Sequence, residues 1–107
     1  DYTFLKKYSN IYFVGVETEY QIMKTQIPAL QFYKVNNFLE MATIIAGSKL
    51  FIGNQSFPFS LAEALKANRL LEVYFQCPNV IPTGNNGFNF CFQPQFEQLV
   101  KDRYENL

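Results

Sequence analysis

The alternation of apolar runs with amphipathic segments predicts an α/β fold, built on a mostly parallel sheet of about four to five strands. Strand-like and helix-like segments alternate from one end of the chain to the other. The strand-like runs are apolar almost throughout, as in strands that are covered on both faces. We therefore expect a three-layer domain, with helices packed on both faces of the sheet.

The first part of the chain predicts the last turns of a helix, then a strand and a short helix. Residues 1–8 have apolar side chains at helical spacing. The β-branched and aromatic run 11–16 predicts a buried strand. A helix is expected over residues 18–25, with Thr18 as its N-cap and Ile22 directed inward.

The following segments continue the alternation with a strand and a longer helix. Residues 31–35 predict a second, weaker strand. Asn37 is a good N-cap, and the helix after it is expected to end near Gly47. Phe38 and Ile45 belong to an apolar stripe of this helix, so we expect both side chains in the core.

The middle of the chain predicts a strand, a helix and another strand. Residues 50–52 are short and apolar, which favours a strand, although length alone does not exclude a piece of helix. The next helix is expected over residues 56–67, with Ala64 and Leu65 facing inward. Residues 70–75 then predict a fourth strand.

The last part of the chain predicts a long loop before the final elements. Residues 76–89 are rich in proline and glycine, and a loop of this length is more often functional or mobile than a simple connection. Residues 88–92 predict a short strand. Pro94 is expected to open the last helix, with Phe96 and Val100 on its inner side.

The residue content excludes several kinds of site. The chain of 107 residues has no histidine, which excludes Ser-His-Asp triads and histidine metal sites. Nine basic and nine acidic residues give no net charge, and they form no basic cluster of the kind that nucleic acid requires. We therefore expect no metal, no cofactor and no nucleic-acid partner.

Cysteine content and hydropathy predict a cytoplasmic protein. The two cysteines, Cys77 and Cys91, are separated by a loop rich in proline, glycine and asparagine. We expect them to be reduced and partly buried, the alternative being a disulfide in an oxidising compartment. No apolar stretch approaches the length of a membrane span, so no transmembrane segment is expected, and we expect no signal peptide either.

The stretch that follows the third strand has the features of an anion site. Gly53 permits backbone angles that a side chain would forbid, and it lets a ligand approach the main chain. Asn54, Gln55 and Ser56 form a polar turn, and the helix N-terminus after them presents backbone N–H groups that suit a phosphate. The alternative is that these three side chains only satisfy the turn.

A parallel sheet would bring further candidates to the same place. Ligands of such sheets bind at the carboxyl ends of the strands. Gly15 lies near the carboxyl end of the first strand and Glu17 follows that strand, while the loop 76–89 follows the fourth. This convergence favours the phosphate site, although Gly15 and Glu17 are also explained by a simple turn.

Residues 53–58, Gly-Asn-Gln-Ser-Phe-Pro, and residues 63–65, Glu-Ala-Leu, resemble the C-terminal, donor-binding half of the two-domain Rossmann-type (GT-B) glycosyltransferases. The heptosyltransferase-like branch has a strand, a polar turn and a small-residue helix in this place. Other branches carry two glutamates eight positions apart, and Gln55 and Glu63 stand at those two positions. The resemblance spans roughly residues 32–75.

The resemblance implies a Rossmann-like domain with a nucleotide-sugar site. The residues that it assigns to the diphosphate of the sugar donor are Gly53, Asn54, Gln55, Ser56 and Phe57. It assigns Glu63 to the ribose hydroxyls. The alternative for Glu63 is a solvated capping carboxylate, and Lys66 and Arg69 are explained either by phosphate binding or by packing over apolar surface.

The resemblance further implies glycosyl transfer to an unknown acceptor. Residues 1–107 would form a single Rossmann-like domain, as a fragment or the C-terminal half of a longer protein, inactive without its N-terminal acceptor-binding half. A nucleotide-sugar epimerase of the same layout is a variant of this hypothesis. The rival hypothesis is a non-catalytic α/β interaction module, in which the polar turn is structural and the aromatic surface meets another protein.

Overall fold

The computed structural model of the chain describes residues 1–54, 57–72 and 84–106. These residues confirm the α/β class, with four α-helices and five strands among them. All strand pairs are parallel, but the strands are divided between a two-stranded and a three-stranded sheet. The chain forms two compact units, Asp1–Phe38 and Leu39–Leu107.

The first unit contains a small parallel sheet and one α-helix. Its elements are a 3₁₀ helix (Thr3–Lys7), β1 (Tyr12–Phe13), α1 (Glu17–Lys24) and β2 (Gln31–Phe32). Leu5, Ile27 and Leu30 are buried. The ring of Tyr20 in α1 stacks on Phe32 at a centroid distance of 5.0 Å. Aromatic packing between α1 and β2 therefore supplies much of this unit's interior.

Two predictions for α1 are wrong. The helix begins at Glu17 with Val16 at the N-cap position, so Thr18 is not the cap. Ile22 is 66% exposed rather than inward. The inward side is set instead by Tyr20, whose hydroxyl also donates to the carbonyl of Leu30 at 2.9 Å. A tyrosine that packs its ring and satisfies its hydroxyl in this way orients the helix away from Ile22.

The second unit contains the three-stranded sheet. Its elements are α2 (Phe38–Gly47, whose first residue ends the first unit), β3 (Phe51–Gly53), α3 (Phe57–Leu65), β4 (Arg69–Glu72), β5 (Gly87–Phe90), α4 (Gln93–Val100) and a π-helical turn (Lys101–Glu105). The strand order is β3-β4-β5. Both pairs are parallel, so the carboxyl ends of the three strands lie at one edge and the amino ends at the other.

The core of the second unit lies against the central strand. Leu70 and Leu71 of β4 are both fully buried. Because neighbouring side chains of a strand point to opposite faces, both faces of β4 are covered. The Phe90 ring lies parallel to that of Phe96 at a centroid distance of 4.1 Å, which joins β5 to α4. This is the two-sided covering that the apolar strand segments predict.

Several inward-facing positions of the second unit differ from the prediction. Phe38 is 68% exposed, so it does not belong to the core stripe with Ile45. Ala64 and Leu65 are exposed, and Phe59 and Ala62 form the buried side of α3 instead. The difference in α3 follows from the packing of Phe59 beside Phe51 on β3, because this contact sets the rotation of α3 about its axis.

The end of the chain agrees in part with the prediction. The last helix begins at Gln93 with Pro94 in its first turn, and Phe96 and Val100 are buried, as expected. Residues 87–89, assigned to a loop, belong to β5. The remainder of that loop up to residue 83, and the end of the predicted strand 70–75, lie outside the described residues.

Shortening a buried side chain of the central strand β4 should destabilise the protein far more than shortening an exposed side chain of a helix. We expect Leu70→Ala to lower the free energy of unfolding by about 2–5 kcal/mol, because the removal of this fully buried side chain leaves a cavity in the core. Leu39→Ala is the matched control, since Leu39 is 67% exposed. Its effect in urea denaturation should stay within about 0.5 kcal/mol, and equal losses for the two variants would contradict this core.

Candidate functional site

The connection from β3 to α3 lies at the carboxyl edge of the three-stranded sheet. Gly53 ends β3, Asn54 is exposed, and α3 begins at Phe57. Gln55 and Ser56 lie outside the described residues. The N–H groups of the first helical turn have no acceptor within the helix, so this end of α3 carries partial positive charge. The geometry thus has the strand-to-helix arrangement that an anion site requires.

Gly53 has a packing role that the sequence did not indicate. Its backbone does not adopt a left-handed conformation. A Cβ atom built there would lie 2.9 Å from Cε1 of Phe51 and 3.7 Å from Cβ of Phe59. The ring of Phe51, two positions earlier on the same face of the strand, therefore covers this position. Glycine suits this position because the Phe51 ring occupies the space of a side chain, which would have to displace the ring, and not because of an unusual backbone angle.

Glu63 forms a double ion pair. One carboxylate oxygen accepts a hydrogen bond from Nε of Arg69 at 2.7 Å, and the other from Nζ of Lys66 at 2.6 Å. The Arg69 side chain is fully buried, while those of Glu63 and Lys66 are 17% and 54% exposed. Glu63 is therefore not a solvated cap, and Arg69 is not a side chain that packs over surface with its charge in water.

Further hydrogen bonds hold the buried guanidinium. Nη1 of Arg69 donates to the carbonyl of Ala67 at 2.7 Å and to that of Asn85 at 3.3 Å. Together with Glu63, these acceptors come from the end of α3, the turn after it and the turn before β5. We call the four residues Glu63, Ala67, Arg69 and Asn85 the arginine clasp. It joins three segments of the second unit at one point.

The clasp and the β3–α3 connection lie at different ends of α3. Glu63 is six residues after Phe57, which places it roughly 9 Å along the helix axis. Arg69 begins β4, at the amino edge of the sheet, whereas Gly53 ends β3 at the carboxyl edge. The structure thus brings Gly53 and Asn54 to the start of α3 and places Glu63 near its other end. The assignment of Glu63 to a ribose stays a prediction.

The two other candidate residues belong to the first unit. Gly15 has φ of +142°, which favours glycine, and lies between β1 and α1. A Cβ atom there would lie 3.2 Å from Cε1 of Phe13. Glu17 is exposed and begins α1. The two residues lie two positions apart at a strand-to-helix turn, and their part in a ligand site stays a prediction.

A polar network that sequence reasoning missed continues the clasp. Asn68 Nδ2 donates to the carbonyls of Lys49 and Arg103, each at 3.0 Å. Nη2 of Arg103 donates to Oδ1 of Asn86 at 3.0 Å, and its guanidinium lies 5.0 Å from the ring centroid of Phe88. The sequence around Asn68 indicates only a turn after the helix. No local pattern signals a partner 35 positions away.

Other kinds of site find little support in the part of the chain that the structure describes. No group of three or more Asp, Glu, Cys or His side chains suited to a metal occurs among those residues. Cys91 is free and exposed, so the expectation of partial burial is wrong for it, and Cys77 lies outside the described residues. None of the described helices has the length and hydropathy to cross a membrane.

Removing the buried guanidinium of Arg69 should lower the stability of the protein more than removing the exposed ammonium of Lys66. We expect Arg69→Ala to lower the free energy of unfolding by about 3 kcal/mol, because it removes a fully buried side chain that donates to Glu63 and to two carbonyls. Lys66→Ala is the control and should cost less than about 1 kcal/mol, since its ammonium is half exposed. A double-mutant cycle of Glu63→Ala with Arg69→Ala measures the coupling, and a coupling near zero would contradict the clasp.

No protein-family model, curated protein or solved structure matches this chain significantly. The glycosyltransferase assignment therefore depends on the residues quoted from the sequence and stays a prediction. What the geometry adds is a parallel sheet with the start of α3 at its carboxyl edge, and a clasp at its amino edge that binds Glu63.

Proposed function

We propose that this chain is the nucleotide-sugar donor-binding part of a glycosyltransferase, and that it binds the donor diphosphate at the β3–α3 connection. The observation that supports the proposal is the position of Gly53, which ends β3 four residues before α3 begins, at the carboxyl edge of a parallel sheet. Sheets of this kind bind ligands at that edge. The resemblance of residues 53–58 to the donor half of GT-B enzymes points to the same place.

The chemistry of this site would be electrostatic. Backbone N–H groups in the first turn of α3 and the helix dipole stabilise negative charge on the departing diphosphate. The exposed amide of Asn54 adds a hydrogen-bond donor beside the turn. The base that activates the acceptor would belong to an N-terminal acceptor-binding half. A cytoplasmic location is part of the proposal, in keeping with the free thiol of Cys91.

Glu63 retains the chemistry to accept a ribose hydroxyl. A ribose hydroxyl donates to a carboxylate oxygen, and the resemblance assigns this contact to the Glu63 carboxylate beside its ion pairs with Arg69 and Lys66. These two cations also hold the carboxylate in a fixed orientation. The ribose contact is therefore a separate part of the proposal, and it has a separate test.

A charge placed at the connection should weaken nucleotide binding. We expect UDP, GDP or ADP to shift the amide signals of Gly53, Asn54 and the start of α3 in an NMR titration. Asn54→Asp should reduce the affinity about tenfold, equivalent to ~1.4 kcal/mol, because its carboxylate repels the diphosphate. Asn37→Asp makes the same change before α2 and should leave the affinity unchanged. Equal effects of the two variants would contradict the site.

Inorganic pyrophosphate separates the diphosphate contact from the ribose contact. If Glu63 bonds the ribose, Glu63→Gln should weaken the binding of the nucleotide severalfold and leave the binding of pyrophosphate unchanged. If it weakens neither, Glu63 serves the arginine clasp alone. Thermal unfolding of this variant is measured beside the titration, because loss of the ion pair with Arg69 also lowers stability.

Exposed apolar side chains favour the interaction module as the second candidate. Val16 and Ile22 in the first unit are 60% and 66% exposed, and Phe38 and Leu39 are 68% and 67% exposed at the start of α2. Phe38 and Leu39 are adjacent in the chain, and contiguous exposed apolar side chains mark surfaces that bind other proteins. Titrations of the full natural chain without shifts at the β3–α3 connection for any nucleotide would favour this function over sugar transfer.

A further inference from the structure

The start of β5 carries the only Asn-Gly pair of the sequence, Asn86-Gly87. Asn86 is exposed and has φ of 68°, a left-handed conformation that asparagine tolerates better than most residues. Its carbonyl accepts a hydrogen bond from the N–H of Arg69 at 2.8 Å. In this parallel register the N–H of Gly87 points away from β4, so it takes no part in the β4–β5 ladder.

We propose that Asn86 is a site of spontaneous deamidation. The backbone nitrogen of Gly87 loses its proton and attacks Cγ of Asn86, which forms a C–N bond and a five-membered imide. The side-chain amide nitrogen leaves as ammonia. Water then opens the imide at either carbonyl, and the product is aspartate or isoaspartate. The step requires only water and a mild base, and no oxidant or reductant.

The residue after asparagine decides which position reacts. Asn10 is also exposed and also left-handed, with φ of 59°, but Ile11 follows it. The β-branched side chain of isoleucine crowds its own backbone nitrogen and restricts the backbone. Gly87 has no side chain, so its nitrogen approaches the amide carbon without this hindrance. Asn10 is therefore an internal control within the same molecule.

Two hydrogen bonds restrain the reaction in the folded protein. Attack requires rotation about the Cα–C bond of Asn86, and this rotation moves its carbonyl away from the N–H of Arg69. The amide oxygen Oδ1 is held by Nη2 of Arg103 at 3.0 Å. The reaction thus proceeds from molecules in which the turn before β5 has opened. Its rate reports how often the contacts with Arg69 and Arg103 release Asn86.

Both products alter the place where β5 begins. An aspartate at position 86 puts a carboxylate opposite the guanidinium of Arg103, where a neutral amide now accepts the hydrogen bond. An isoaspartate adds one atom to the main chain directly before Gly87, which disturbs the register between Arg69 and Gly87. The isoaspartate form should therefore loosen β5 from β4, while the aspartate form should keep the pairing.

The test is incubation of the full chain in mildly alkaline buffer, followed by peptide mapping with mass spectrometry and by enzymatic assay of isoaspartate. We expect Asn86 to convert first among the asparagines, with Asn10 unchanged over the same period. Gly87→Ala should slow conversion severalfold. Arg103→Gln should accelerate it severalfold without affecting Asn10, which shows that release is local and not global unfolding.

Conversion of Asn10 as fast as Asn86, or an unchanged rate in Gly87→Ala, would overturn the proposal. An unchanged or slower rate in Arg103→Gln would overturn the restraint by Arg103. Hydrogen exchange at the amides of β5, measured on the separated isoaspartate and aspartate forms, tests the consequence. Equal protection in both forms would contradict the predicted loosening.

Discussion

The ion pair between Arg69 and Glu63 is the interaction on which the second unit depends. Arg69 is fully buried, and a buried charge without partners costs several kcal/mol. Its acceptors come from three segments: the carboxylate of Glu63 near the end of α3, the carbonyl of Ala67 in the turn, and the carbonyl of Asn85 before β5. One side chain therefore links the end of α3, the turn before β4 and the turn before β5.

Parallel pairing separates this clasp from the candidate anion site. The amino ends of β4 and β5 lie at the edge that carries Arg69 and Asn86, while Gly53 ends β3 at the opposite edge. The helix α3 connects the two edges, with its positive end beside Gly53 and Glu63 near its negative end. Because Arg69 and Lys66 neutralise Glu63, that carboxylate exerts little repulsion on an anion at the start of α3. The sheet thus places the buried ion pair and the proposed phosphate site at opposite edges of one small unit.

Local signals predicted the elements well and their inward faces poorly. The alternation of segments predicted the α/β class, and Pro94 with Phe96 predicted the last helix, because caps and periodic spacing act over a few residues. The inward faces of α1 and α3 depend on tertiary contacts with strands beside them, beyond the reach of helical periodicity. The aromatic rings of Tyr20 and Phe59 find such partners, and Ile22 and Leu65 are left at the surface. Hydrophobicity alone ranks all these residues as core.

In the candidate site, too, local sequence patterns do not reveal the tertiary contacts of the two main residues, Gly53 and Glu63. The sequence indicates that Gly53 permits the close approach of a ligand, but the space of its missing side chain is filled by the ring of Phe51. This contact between residues two positions apart can be inferred only once the segment is known to be a strand. Glu63 lies six positions before Arg69, a separation that is not a pairing distance on a helix. The pair forms because the chain turns and enters β4. A carboxylate that already pairs with two cations has a structural function of its own, so a ribose contact would be a second function of Glu63.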